Sequence, residues 1–240
     1  MKKILTVLIV FLMLSCKATN VIEGPEKVLV FTKTSGYHHK SIEAGVKAIE
    51  ELGLKNNFEV TQTEDSELFS KKKLKQYQLV IFLNTTGDVL NTSQEQAFEA
   101  YIKSGGSFMG VHAATDTEFE WPWFGKLVGA YFLDHPKQAT ATITRLNSTH
   151  LSTKHLQEQW IHFDEWYNFK SINQDINVLL NLDESTYEGG KNGINHPIAW
   201  YHEFDGGRSF YTGLGHTSES YEVPEFKQHL LGGILYCLKR

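Results

Sequence analysis

Cysteine is scarce in this chain, with two among 240 residues. So few cysteines exclude a disulfide scaffold and a cysteine-rich zinc module. A nucleic-acid binder is also excluded, because 23 Lys and Arg against 28 Asp and Glu give a net charge of −5 and no basic stripe is visible. The longest apolar run, from Ile4 to Leu14, is shorter than the about 20 residues that a membrane-spanning helix needs.

Histidine, in contrast, is abundant, with 11 residues. The chain is 41% hydrophobic, 12% aromatic and 21% charged, which is typical of a globular domain rather than a disordered one. The composition therefore predicts a folded, histidine-rich domain. The functional question is which of these histidines carry chemistry.

The N-terminus has the pattern of an export signal. Two lysines precede the apolar run Ile4 to Leu14, and the run leads into Met13-Leu-Ser-Cys16. This ending resembles a bacterial lipobox with Cys16 as the lipidated first residue, although a plain secretory signal with a chance cysteine stays open. We predict a signal peptide over 1–15, a tether over 16–26 and one domain over 27–240. The mature chain is then exported, faces the periplasm and touches a membrane only through its N-terminal lipid.

Strands and helices alternate along the first half of the chain. Right-handed crossovers between such units give a parallel sheet with helices on both faces. The predicted strands of this half are Lys27–Thr32, Phe58–Thr63, Leu79–Leu83 and Ser107–His112, with helices after Ser41 and Asn91. In the second half, strands and helices no longer alternate. The predicted strands there are Ala139–Arg145, Asn177–Leu182, Pro197–Glu203 and Arg208–Gly213, followed by a closing helix, Val223–Leu238.

A tight turn is predicted at Gly110-Val-His112-Ala-Ala114, where small residues flank one reactive side chain between a strand and a helix. Hydrolases place Ser at such an elbow and glutamine amidotransferases place Cys. An imidazole is a poor stable nucleophile towards amides but a good base, proton shuttle or metal ligand. A glutaminase that works through a Cys–His pair is excluded, because neither cysteine lies near this turn.

Several other polar motifs fall at predicted strand ends or in loops. Ligands of open parallel sheets bind at the carboxyl ends of the strands, where His38, His39, Asn84–Asp88 and His112 lie. Other motifs are His135-Pro136, Asp164-Glu165, His196-Pro197 and Gly215-His216. They could converge as metal ligands or as acid–base groups. No HExxH or paired CxxC spacing exists, so a divalent metal such as Zn or Mn is permitted but not demanded.

Taken in order, these motifs resemble the ThuA-like (trehalose utilisation) family over about residues 27–239. The six motifs are Gly36-Tyr-His-His39, Gly110-Val-His-Ala113, His135-Pro136, Asp164-Glu-Trp-Tyr167, Pro197-Ile-Ala-Trp200, and Gly207-Arg208 with Gly213-Leu-Gly-His-Thr217. The resemblance implies a flavodoxin-like (class I glutamine amidotransferase-like) α/β fold with a mostly parallel sheet, without the amidotransferase cysteine. It also implies a role in disaccharide and glycoside catabolism, beside enzymes that make 3-keto-sugars.

The motifs and the resemblance together suggest how the candidate residues divide. We expect His39, His112 and Glu165 to be catalytic, and His135 and His216 to be the metal ligands. Substrate-binding residues for a small carbohydrate are expected to be His38, Asp164, His196, Trp166 and Trp200. The two tryptophans could stack on sugar rings or could equally be ordinary core aromatics.

Two functional hypotheses follow. In the first, the protein is an envelope enzyme that cleaves or transforms a glycoside or 3-keto-glycoside by His/Glu acid–base chemistry, with or without a metal. His112 would abstract a proton beside the 3-keto group. In the second, it is a non-catalytic sugar-binding lipoprotein that keeps an amidotransferase-like fold. Fold alone does not decide between them.

Overall fold

The first predicted strand lies inside the sheet rather than at its edge. In the computed structural model, which describes residues 24–240, β1 pairs in parallel with β2 on one side and β3 on the other. The predicted signal peptide, Cys16 and most of the predicted tether lie outside the described residues. The strands in chain order are β1 (Glu26–Phe31), β2 (Phe58–Thr63), β3 (Leu79–Leu83), β4 (Ser107–Val111), β5 (Tyr131–Asp134), β6 (Ala139–Arg145), β7 (Gln159–Asp164), β8 (Asn168–Lys170), β9 (Asn177–Asp183), β10 (Pro197–Phe204) and β11 (Gly207–Thr212).

The main sheet has nine strands in the order β2-β1-β3-β4-β11-β10-β9-β6-β7. The first five are parallel to one another, and each later neighbour pairs antiparallel. Strands β9 and β7 therefore point the same way as β11, so seven of the nine strands share one direction. The expected mostly parallel α/β sheet is confirmed. Strands β5 and β8 form a separate antiparallel pair.

Helices cover both faces of the parallel half. They are α1 (Ile42–Asn56), α2 (Lys71–Leu74), α3 (Thr92–Lys103), α4 (Pro122–Val128) and α5 (Pro224–Cys237). Successive residues of a strand point to opposite faces. Phe82 packs against Phe98 of α3 and Phe124 of α4, whereas Leu83 lies under α1 at Gly45. Since β3 is buried along its whole length, both faces of this strand are core, as in other parallel sheets.

Local signals explain where the helices begin. Asn91 caps α3 through a capping box with Gln94, which satisfies backbone N–H groups that the helix leaves free. Ser41 stands at the N-cap position of α1 but makes no capping bond. Its hydroxyl instead donates to the Gly215 carbonyl at 3.0 Å, so it ties α1 to the loop after β11. None of the helices within residues 24–240 is both long and apolar enough to cross a bilayer.

The fully buried His229 of α5 should make the fold sensitive to acid. Its Nδ1 donates to the Ser152 carbonyl at 2.9 Å, while its Nε2 has no partner among the described residues. Burial lowers the pKa of His229 from 6.5 to about 3, so the folded state resists a proton that the unfolded chain accepts. The free energy of unfolding should therefore be level above about pH 6.5 and fall below it, by at most about 1.4 kcal/mol per pH unit for this one group.

The substitution His229→Leu should flatten that decline, even if the lost hydrogen bond lowers the stability at pH 7. Urea unfolding of both proteins at pH 7, 6 and 5 measures it. Equal slopes against pH would show that His229 does not contribute to acid sensitivity.

Candidate active site

The elbow after β4 forms as the sequence predicts. His112 has φ +46, a left-handed conformation that is costly for a residue with a side chain and is often kept at functional sites. The small neighbours make room for it: a Cβ on Gly110 would lie 3.0 Å from the Ala114 side chain. The Tyr211 hydroxyl donates to the His112 carbonyl at 2.7 Å. The turn is thus fixed by packing and by hydrogen bonds.

Three loops bring further side chains to this elbow. His39 follows β1, Glu165 follows β7 and His216 follows β11. Although β10, β9 and β6 lie between β11 and β7 in the sheet order, the carboxyl end of β7 contacts the loop after β11 through Asp164. The antiparallel half of the sheet therefore curls back over the parallel half.

Four potential ligand atoms converge at this place. One atom from each of His39, His112, Glu165 and His216 lies within 4.8 Å of every other. The three imidazole rings form a triangle with centroids 5.1 Å apart on each side. We call this group the four-residue cluster.

The spacing of the cluster suits a metal ion. His112 Nε2 lies 3.1 Å from His216 Nδ1, and Glu165 Oε2 lies 3.0 Å from His216 Nδ1 and 3.5 Å from His112 Nε2. Ligands at about 2.05 Å around a tetrahedral cation stand roughly 3.3 Å apart. Imidazole with carboxylate is a donor set that Zn²⁺ and Mn²⁺ accept. The residues present therefore fit a divalent cation.

The main chain sets the tautomer of His112. Its Nδ1 lies 2.8 Å from the Gly213 carbonyl, which can only accept, so Nδ1 carries the proton and the neutral ring offers Nε2 as a lone pair. Such an outer hydrogen bond orients ligand histidines in metal sites. The ring is fully buried. His112 is therefore better placed as a ligand or proton relay than as a base in contact with substrate.

The charges of the cluster are set by its burial and contacts. Burial alone would raise the pKa of Glu165, but its bonds to His112 and His216 outweigh burial and hold that pKa well below the usual range. Burial, reinforced by the charges of His112 and His216, lowers the pKa of His39 to about 3. At neutral pH an anionic Glu165 therefore faces a neutral His39, which is the protonation state that metal ligation requires.

Asp164, which the sequence predicts to bind substrate, is hydrogen-bonded within the protein. The residue is fully buried, and its carboxylate accepts backbone N–H groups from Gly215, His216 and Thr217 at 2.8 to 3.3 Å. The Ser220 hydroxyl donates a further bond at 2.9 Å. Asp164 thus fixes the loop that carries His216.

Three other expected substrate-binding residues do not line the site. Trp166, Trp200 and His196 are fully buried. The two indole N–H groups donate to the carbonyls of Ala139 and Val128. His196 bonds the Tyr167 carbonyl at 2.8 Å and Glu184 at 2.8 Å, so it supports the chain near the site. In this structure both tryptophans are packed in the core.

His38 and His135 lie at the rim of the cluster. His38 is exposed, with Nδ1 3.3 Å from the Thr34 hydroxyl. His135, expected to be a metal ligand, is not a member of the four-residue cluster, although its Nδ1 lies 2.9 Å from the Pro136 carbonyl and 3.2 Å from Glu165 Oε1. The geometry replaces it with His39, His112 and Glu165 beside His216 in the candidate ligand set.

The sequence motifs did not single out three residues near the cluster. The ring of Tyr167 packs 4.3 Å from His112, and its hydroxyl makes no hydrogen bond to another residue of the described chain. Tyr37 is 61% exposed and stands edge-on to His39 at 4.8 Å. Asp116 ends the turn that His112 begins. Tyr37 and Tyr167 each stood inside a quoted motif, whereas Asp116 lay outside every motif.

Cys237 lies far from this site, near the opposite end of the sheet. It is buried and free, and its Sγ contacts the carbonyl of Phe108 at the start of β4. Burial raises the pKa of its thiol, which makes it inert. The elbow position of a catalytic cysteine is held by His112.

Comparison with known proteins agrees with this architecture. A family model described as ThuA, trehalose utilisation, matches residues 27–237. No curated protein sequence matches significantly. Among solved structures, a ThuA-like protein from Bacteroides uniformis ATCC 8492 shares 22% identity at a TM-score of 0.75, over 92% of this chain and 94% of that one.

Two further structures show how widely the fold is used. A ThuA-like protein from Parabacteroides merdae ATCC 43184 has 20% identity and a TM-score of 0.74, covering 89% of this chain and 90% of that one. The β-galactosidase of Bacillus circulans sp. alkalophilus matches at 11% identity and a TM-score of 0.59, over 90% of this chain but 32% of that enzyme. At these identities the likeness shows the fold alone.

Proposed function

The chain belongs to the ThuA family, which is described by trehalose utilisation, and we propose from this premise that it is an enzyme of sugar catabolism that acts on a keto-glycoside at a divalent-cation site. The observation that carries the proposal is the convergence of three imidazoles and one carboxylate within 4.8 Å, with the His112 tautomer fixed by the Gly213 carbonyl. The set presents an anionic Glu165 beside a neutral His39, which suits the binding of a cation.

The chemistry of a 3-keto-glycoside fits such a site. The ketone acidifies the hydrogen on carbon 2, and the glycosidic oxygen on carbon 1 stands one bond further away. When a base takes the carbon-2 proton, the freed electron pair forms a double bond to carbon 1, the bond between carbon 1 and the glycosidic oxygen breaks, and the departing oxygen takes up a proton. A bound divalent cation would polarise the ketone oxygen and lower the barrier to this deprotonation.

The chain's own residues supply the rest of the site. Glu165 and the three histidines would hold the cation, and Asp164 keeps His216 in place. The Tyr167 ring packs 4.3 Å from His112 and shields one side of it, while Phe132 packs against Tyr167. His38 and His135, at the exposed rim, are placed to meet the substrate's hydroxyl groups.

The test begins with the mature protein stripped by a chelator. Zn²⁺ or Mn²⁺ should bind with about one equivalent per chain, as one four-ligand site implies, and glucose should be released from 3-keto-trehalose only when the cation is restored. Unmodified trehalose is the matched control, because it lacks the acidifying ketone and should not be cleaved. Binding of either sugar without release in every condition would contradict the enzymatic proposal and favour a sugar-binding protein.

We further propose that the protein works at the cell envelope, anchored through Cys16. The proposal rests on the basic, apolar and Ser-Cys sequence of the first 16 residues. Its test is whether the mature chain begins at a lipid-modified Cys16 and fractionates with membranes.

A further inference from the structure

Asp116 is the one residue of Val111–Glu118 that is not buried. The residues on either side are packed into the core, and the turn itself is pinned at both ends. The Gly87 N–H donates to the Asp116 carbonyl at 2.8 Å, and the Thr117 hydroxyl donates to the Thr85 carbonyl at 2.8 Å. The position of Asp116 is therefore set by the fold, and its side chain is only partly buried.

The carboxylate of Asp116 has no evident structural task. It makes no hydrogen bond or ion pair with any residue of the described chain, unlike Asp164, whose two oxygens are fully engaged. Partial burial of a carboxylate without a hydrogen-bond partner lowers the stability of the fold, unless a ligand or water binds to that carboxylate. Asp116 is thus free to meet a ligand.

The surroundings of Asp116 place it beside the four-residue cluster. The charged and titratable groups that face it come from its own turn, from the loops after β5 and β7, and from β8 and β11. They are His112, His135, Tyr167, Lys170 and Tyr211. Burial raises the pKa of both tyrosines, and the negative charge of Asp116 adds to that rise. Asp116 therefore lies in the same turn as His112 and near Tyr167.

We propose that Asp116 is the catalytic base of this site, which takes the proton from the carbon beside the ketone of a bound keto-sugar. This rests on the proposed function and fills the role that buried His112 cannot perform in contact with substrate. The carbon–hydrogen bond breaks and its proton moves to an Asp116 oxygen. The electron pair forms the new double bond as the glycosidic bond breaks, and the protonated Asp116 returns the proton to the departing oxygen.

The basicity of Asp116 suits the task. Burial raises its pKa to about 6, against the lowering effects of His112, Lys170 and His135. A base is most effective when its pKa lies near the working pH. Glu165 is a much weaker base, since its pKa lies well below the usual range. The two carboxylates thus have different roles: Glu165 binds the cation, and Asp116 transfers the proton.

The test uses Asp116→Asn in the full mature protein, supplied with Zn²⁺ or Mn²⁺ and 3-keto-trehalose. Wild type should release glucose and, with it, a keto-sugar that has lost its carbon-2 hydrogen and carries a double bond between carbons 1 and 2. The variant should lose both by about 10²–10⁴-fold, with cation affinity and sugar affinity unchanged within about twofold. The wild-type kcat/KM should fall below about pH 6, and the residual rate of the variant should lack that fall. Asp175→Asn, at an exposed loop carboxylate, is the matched control.

The outcomes separate this inference from the proposed function. Unchanged turnover and an unchanged acid limb in Asp116→Asn would overturn the role of Asp116 and leave the proposed function standing. Loss of cation or sugar binding in the variant would also overturn it, because the residue would then be structural. If wild type releases neither glucose nor the unsaturated keto-sugar, the proposed function itself fails.

Discussion

Replacing His112 with alanine should abolish turnover of a keto-glycoside and weaken binding of Zn²⁺ or Mn²⁺ by more than the roughly 10–100-fold that loss of an outer partner costs. The reason is geometric. His112 Nε2 is the atom that both His216 Nδ1 and Glu165 Oε2 approach, at 3.1 and 3.5 Å. Without this imidazole, the anionic Glu165 loses one of its histidine contacts near the cation site. The cluster also loses a ligand from its centre.

The fold should survive this substitution. Alanine leaves the buried Gly213 carbonyl without its donor, which costs about 1–3 kcal/mol, in addition to the cavity. The free energy of unfolding of a typical domain is about 5–15 kcal/mol. Circular dichroism and the unfolding transition should therefore remain those of a folded protein.

The matched control removes an imidazole from outside the site. His155 bonds the Glu225 carbonyl at 2.9 Å and contacts no member of the cluster, so His155→Ala should keep full cation affinity and turnover. Isothermal titration with the cation and a glucose-release assay measure both variants. Wild-type affinity in His112→Ala would remove His112 from the ligand set.

The parallel half of the fold could be predicted because its signals are local. The apolar run Leu79–Leu83 is buried on both faces, and the small residues around His112 specify the elbow without help from distant segments. His39 and His112 could also be assigned to one sheet edge, since the carboxyl ends of parallel strands meet there.

The antiparallel half is harder to predict because, in β7, the more polar face of the strand is the buried one. In β7 the apolar Ile161 and Phe163 point to solvent while His162 and Asp164 are buried. Alternation alone would place the wrong face in the core. The polar face is buried because the sheet curls and supplies hydrogen bonds, such as those from Ser220 to Asp164. These partners are distant in sequence, so the role of Asp164 could not be deduced from its motif.

The aromatic residues show a similar limit. Trp166 and Trp200 carry a polar N–H that must find a partner when buried, and backbone carbonyls supply it. Nothing in the sequence distinguishes such a tryptophan from one that stacks on a sugar. The exposed ring beside the cluster is Tyr37 instead, and only the folded chain shows this.

Replacing Asp164 with asparagine should destabilise the protein by about 3–5 kcal/mol, the range seen when one partner of a buried ionic network is removed. Burial alone would raise the pKa of Asp164, but the His162 bond, the charge of His112 and the Gly215 N–H lower it, so these donors hold an anion. An amide NH₂ group cannot accept a hydrogen bond. One side of the substituted side chain would therefore face N–H or O–H groups that it cannot satisfy.

The same change should weaken cation binding without touching a ligand. The Asp164 carboxylate accepts the backbone N–H of His216 and of both its neighbours, so asparagine releases the loop that places His216 in the cluster. Ser220→Ala removes one donor only and should cost about 1 kcal/mol. This milder variant keeps the role of Asp164 testable if Asp164→Asn does not fold.

Asp134→Asn provides the matched control for the chemical change. Asp134 carries a half-exposed carboxylate bonded to Asn168 and Lys191, and exposed ion pairs contribute at most about 1 kcal/mol. Urea unfolding of the three variants should rank them Asp134→Asn and Ser220→Ala near wild type and Asp164→Asn far below. If Asp164→Asn is no less stable than Asp134→Asn, the carboxylate does not organise the His216 loop, and the cluster must be held together by its own side-chain contacts.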